Sequence, residues 1–191
     1  IIPVSNNPNE ESRLNEVNRL GILNRDLDQE AQYNALTQLA AIITKSQIGL
    51  INILGSNIQQ CKTNFGFNVL ESTITEEMPR EISICQYSLA SPQEPLIIND
   101  LFLDERTKHF KKLEAYENLR FYAGSPLISS RGFSIGTLYV IDDKPKKIEH
   151  EQIEGLRLLA DQVVNMLEQE FNDNSNQNID PEDISNVIET N

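Results

Sequence analysis

The chain has 191 residues, 39% of them hydrophobic, and a net charge of −13, which suits one domain with a full core and polar ends. That acidity argues against nonspecific contact with nucleic acid or an anionic membrane, since both need basic surface. Two cysteines, Cys61 and Cys85, and two histidines, His109 and His150, form neither a disulfide framework nor a zinc-ligand spacing, which fits a reducing cytoplasm.

No apolar run approaches the roughly 20 residues that cross a bilayer, and no signal peptide is visible. The chain begins Ile1-Ile2-Pro3 without Met, as a fragment or a processed chain would. Residues 1–9 are rich in Pro and Asn and lack a period, so they read as a loose lead-in. From Glu10, Leu14, Val17 and Leu20 recur at helical spacing, with Ile22 and Leu23 after them. Gly21 weakens this helix by about 1 kcal/mol relative to Ala. The helix either packs on its own domain or supplies half of a dimer-forming pair. After a polar break at Asp26–Asp28, a second helix is expected over Gln29–Lys45, with Tyr33, Leu36, Leu39, Ala40 and Ile43 on one face.

The period then becomes that of strands. Ile48–Leu54 is a nearly continuous apolar run, as in a central strand covered on both faces. Gly55-Ser56-Asn57 is a turn signal, and in Ile58–Phe67 alternation puts Cys61, Thr63, Phe65 and Phe67 on one side. Val69–Arg80 reads as a long loop crossing the sheet. Ser83–Ser88 reads as a short helix carrying Cys85, and Leu96–Asn99 as a short strand. Asp104 suits the N-cap of a helix over Glu105–Tyr116.

Arg120–Asp143 organises the chain. Two β-branched and aromatic runs, Phe121–Leu127 and Ile135–Ile141, flank a link containing Arg131-Gly132, the pattern of a hairpin. Gly124 and Gly136 lie inside these strands, which suggests a bulge or a close approach to the backbone. A last helix is expected over Glu149–Phe171, with Ile153, Leu156, Ala160, Val163 and Leu167 at heptad-like spacing. Residues 172–191 are polar and acidic, a tail or linker with a possible short helix over 181–189.

The motifs RFYAGSPL…G…IGTLYVIDD, ICQYSLASPQEPLIINDLFLDERTKHF and LRLLADQVVNMLE, in this order, resemble a GAF domain of the bacterial sensory type. The resemblance runs from about Leu14 to Phe171 and gives a domain over residues 10–171. It implies an α+β, GAF/PAS-like fold: a central antiparallel sheet of five or six strands, with helices on one face and a loop and short-helix pocket side on the other. It also implies a non-catalytic, cytoplasmic signalling module. Such a module binds an unidentified small molecule and relays the signal through terminal helices, as a homodimer through helices 10–24 and 149–171. A dimerisation or docking module without ligand, and a thiol-dependent methionine sulfoxide reductase, are the alternatives.

Candidate ligand-binding residues are Cys85, Asp100, Arg106, Phe110, Tyr122, Gly124, Thr137 and Tyr139. Hydroxyls of Tyr122, Thr137 and Tyr139 suit a cavity wall that orients a small molecule. Arg106 either meets an acidic ligand or bridges to Asp100, with Asp104 capping the helix. Cys85 is either a redox-sensitive thiol or a buried inert one. His109 lies where bilin-binding relatives carry a Cys-His pair, but Lys108 precedes it, so no covalent bilin is expected. The Asn-Lys…Phe…Asp-Glu signature of cyclic-nucleotide-binding relatives is not reproduced in Asp142-Asp143-Lys144…Ile148…Glu151-Gln152, which counts against that ligand.

Overall fold

The computed structural model describes residues 9–27, 31–66 and 77–177. The elements are α1 (Glu10–Leu20), α2 (Ala31–Thr44), β1 (Ile48–Leu54), β2 (Ile58–Phe65), β3 (Glu77–Pro79), β4 (Leu96–Ile98), β5 (Phe121–Ile128), β6 (Ser134–Asp142) and α3 (His150–Gln177). The six strands form one antiparallel sheet in the order β3-β2-β1-β6-β5-β4. This is the expected α+β architecture, with β1 and β6 at its centre. Every residue of β1 is buried, as its unbroken apolar run requires.

Strand alternation builds two cores. Ile51, Ile53, Phe121, Ala123, Leu138 and Val140 face α1, α2 and α3. Ile48, Leu50, Tyr122, Tyr139 and Ile141 face the opposite layer, which is made of short 3-10 segments. Pro126 fits because β4 pairs only as far as Gly124, so its missing N–H is not called on by that neighbour.

Several expectations are corrected. Gly21 ends α1 in the left-handed conformation, φ 65°, rather than weakening its interior. Leu39 and Ile43 lie on the outer side of α2; Thr37, Ala41 and Thr44 join Tyr33, Leu36 and Ala40 in the interior. In β2 the register shifts opposite Ile51 and Asn52, so that Lys62 has no strand partner there. Two successive side chains therefore turn to the helix face. Lys62 Nζ donates to Leu23 O and Arg25 O at 3.0 and 2.8 Å, and Thr63 Oγ1 bonds Asn34 Oδ1. Cys61 packs on the other face, so it and Thr63 do not share a side.

The segment after Asp104 is not an α-helix. It forms two 3-10 turns, Lys108–Lys112 and Glu114–Tyr116. In one continuous α-helix Phe110 and Tyr116, six residues apart, would diverge, but Leu113 is extended between the two turns and redirects the chain. Here their rings stack with centroids 5.0 Å apart, both buried. The crossing loop resolves at its end into β3, paired with β2; Val69–Glu76 lie outside the described residues. Helix α3 runs on to Gln177, past the expected end at Phe171. Phe67, the lead-in 1–8 and the segment 181–189 also lie outside them.

Candidate functional site

The 3-10 layer meets the sheet over the middle of β1, β5 and β6. Asn52 and Thr137 are direct partners across the two central strands. Tyr139 and Tyr122 stack with centroids 5.2 Å apart. Asn52 Nδ2 donates to the Tyr139 hydroxyl at 2.8 Å, and the Tyr122 hydroxyl lies 3.2 Å from Cys85 Sγ. Ser83 positions the thiol: its hydroxyl accepts from the Cys85 N–H at 3.1 Å, capping the segment Ile84–Ala90, and it also bonds Gln59.

The interior glycines make room for this arrangement. A Cβ at Gly124 would lie 2.6 Å from the Tyr122 hydroxyl and 2.8 Å from the Thr137 methyl. A Cβ at Gly136 would overlap the Asn52 carbonyl oxygen. Close approach, the second of the two sequence readings, accounts for both. The bulge of this hairpin falls beside Gly136, where Ile135 is skipped between the pairs Leu127–Gly136 and Ile128–Ser134.

The cavity bounded by these groups measures about 10 Å³, room for one water. Gln59, Met78, Ser83, Cys85, Tyr116, Tyr122 and Tyr139 line it, with Ile84, Leu119 and Ile141. None of these carries a charge at neutral pH. Burial pushes the Cys85 thiol up to about 11, against weaker opposing bonds from Tyr122, Ser83 and Asn52. Burial likewise raises the Tyr122 and Tyr139 phenols well above their usual range. Beside this cavity Asn52 Oδ1 is buried without a hydrogen-bond partner among the described residues.

Five sequence-derived candidates, Cys85, Tyr122, Gly124, Thr137 and Tyr139, thus meet in one place. Phe110 lies behind them, stacked on Tyr116. Asp100 and Arg106 do not join them, nor do they pair with each other. Asp100 binds Arg120 through two bonds of 2.9 and 2.6 Å and accepts the Phe102 N–H. Arg106 binds Asp104 and the Ile97 carbonyl, with nearly half its side chain exposed. Both pairs brace the corner between β4 and the 3-10 turns. Asn52, Gln59, Ser83 and Tyr116 went unread in the sequence. Asn52 did carry a signal: it is the one polar side chain within Ile48–Leu54.

A family model, GAF domain, matches residues 28–167, and the chain belongs to that family. It is 28% identical over 137 residues to the cyclic di-GMP phosphodiesterase PA2567 of Pseudomonas aeruginosa, covering 72% of this chain and 22% of that protein. The fold is similar to the blue-light absorbing PixJ GAF domain of Thermosynechococcus elongatus, with TM-score 0.59, 13% identity, and 88% and 95% of the two chains covered. It is similar too to the type II free methionine-R-sulfoxide reductase of Thermoplasma acidophilum, with TM-score 0.58, 16% identity, and 73% and 92% covered. A photoreceptor and a reductase on one fold mean that the site, not the fold, has to decide function. Among the described residues no helix is long and apolar enough to cross a membrane.

Proposed function

We propose that the domain is a non-catalytic sensory and regulatory module of a signalling protein, and that events on the 3-10 face of its sheet are passed to helix α1. One connection carries this reading. Arg80 stands three residues before Ser83, the cap of the Cys85 segment, and its Nη1 donates to Glu10 Oε1 of α1 at 2.5 Å. A displacement of the cavity wall therefore pulls on the first turn of α1. Any ligand at this site is small and uncharged, because the lining offers hydroxyl, amide and thiol groups and no charge to neutralise an anion. It enters by displacing the 3-10 layer.

The filled cavity favours a second reading, in which the domain docks or dimerises without a ligand. The outward apolar side chains for such a role lie on α2 and α3: Leu39, Ile42 and Ile43, with Leu158. Ile43 touches Gly155 of α3, so the two helices are neighbours there. Support for thiol chemistry is weak, since a buried thiol raised to about 11 is a poor nucleophile. Native mass spectrometry of the purified protein tests both readings. A bound mass below a few hundred daltons supports sensing, and a ligand-free dimer supports docking. A ligand-free monomer speaks against both.

A further inference from the structure

The tip of the β5–β6 hairpin, residues 129–131, is tied to both terminal helices. The turn closes on itself: the Ser129 N–H donates to Phe133 O at 2.9 Å, and the Gly132 N–H to Ser129 O at 2.8 Å. Its remaining donors reach carboxylates on the helices. The Ser130 N–H and hydroxyl both donate to Glu168 Oε1 of α3, at 2.8 and 2.9 Å. Arg131 Nη1 lies 3.7 Å from Glu16 Oε2 of α1. Glu16 is only 2% exposed, and Arg19 binds it through Nε and Nη2 at 2.9 and 2.8 Å. The Arg19 guanidinium holds the Glu16 carboxyl below its ordinary range against burial, and Ser129 and Arg131 act in the same direction. Arg19 in turn covers the Phe171 ring of α3, 4.8 Å from its centroid. Hairpin tip, α1 and α3 thus close one ring of contacts.

The place of this ring in the fold gives it a use. Strands β5 and β6 carry Tyr122, Gly124, Thr137 and Tyr139 at the cavity, and the same two strands end at this tip. Two strands bonded along their length move together, so a shift at the cavity reaches the turn. Helix α3 meets the turn at Glu168 through charge-assisted bonds, and every residue from 172 to 176 beyond it is exposed. Glu170 also anchors α3, but to Arg25, Gln32 and Tyr33, on α2 and the segment before it. Resting on the sensory reading above, we propose that the Ser130–Glu168 clasp, seated by Glu16, couples the hairpin to the projecting end of α3. A displacement of β5 and β6 at the cavity then moves α3 from Glu168 onward.

Hydrogen exchange followed by mass spectrometry, read separately over α1 and over residues 164–177, tests the clasp. Gly124→Ala is the perturbation, because its Cβ meets the Tyr122 hydroxyl and the Thr137 methyl. It is expected to change exchange over residues 164–177 about fivefold, and in a Glu168→Ala background that added change is expected to vanish. In a Glu170→Ala background it is expected to remain. A change that survives Glu168→Ala, or that Glu170→Ala removes equally, overturns the clasp, since the coupling then runs through the general packing of α3. A response in α1 without one in α3 overturns the clasp and leaves the sensory reading standing; no response in either helix overturns both. Should Gly124→Ala not fold, Tyr122→Phe, which removes only the hydroxyl beside Cys85 Sγ, takes its place.

Discussion

Glu10 and Arg80, seventy positions apart, form a 2.5 Å ion pair that fastens the first turn of α1 to the start of the 3-10 layer. Arg13 holds the same carboxylate from within the helix, through Nε and Nη2, both at 2.8 Å. The two guanidiniums also take the carbonyls of Leu54, Gly55 and Ser56, so one carboxylate organises helix, turn and cavity wall together. Glu10→Ala leaves two buried cations unopposed and is expected to cost about 3 kcal/mol in urea denaturation.

The same pair sets an acid dependence. Burial pushes the Glu10 carboxyl up, but the Arg13 and Arg80 guanidiniums outweigh it and hold the group below its ordinary value. A carboxylate with a lowered folded pKa contributes stability above its unfolded value, about 4.3, and loses it as pH falls through the folded value. Stability of the wild type is therefore expected to fall more steeply below about pH 4.3 than that of Glu10→Gln. Parallel curves for the two proteins would refute the assignment.

Cys85 and Cys61 should be separable by alkylation. The Cys85 thiol is buried and raised to about 11, whereas Cys61 is half-buried on β2. With iodoacetamide at pH 8, Cys61 is expected to be labelled first, and Cys85 only as fast as the domain opens. Equal rates, read by peptide mass mapping, would restore the case for a reactive thiol.

Gly136→Ala tests the close approach of the two central strands. The added Cβ meets the Asn52 carbonyl, a backbone atom in a buried strand that has little freedom to retreat. A loss of about 3 kcal/mol or more is expected, at the upper end of overpacking costs. Gly132→Ala, in the open turn but at φ 84°, is expected to cost about 1 kcal/mol through backbone strain alone.

Ile42→Glu and Leu158→Glu probe the outward face of α2 and α3. These side chains are 60% and 59% exposed, so a charge there leaves the monomer's stability nearly unchanged. If a second copy covers this face, each variant shifts the population toward monomer in analytical ultracentrifugation. An unaltered dimer would place the interface elsewhere.

The sequence by itself determined the elements whose signal is local. Ile48–Leu54 and the two runs of Arg120–Asp143 read as central strands because an unbroken apolar run has no other place to go. Thr137 and Tyr139 share a face because strand side chains alternate, whereas Tyr122 joins them only through its register opposite Ile141. Tertiary structure decided what depends on partners distant in the chain. Arg13 and Glu16 interrupt the apolar stripe of α1, yet both are buried, and Arg13 is so because Leu54, Gly55 and Ser134 supply carbonyls that no nearby residue could. Whether Arg106 or Arg120 would hold Asp100 was settled by the corner geometry of β4 and β5. The extended break at Leu113, between two 3-10 turns, brings Phe110 and Tyr116 into the same core, and no local pattern marks it. Local propensity carries the backbone's preferences, while the partners of buried polar groups are chosen only when the sheet closes over them.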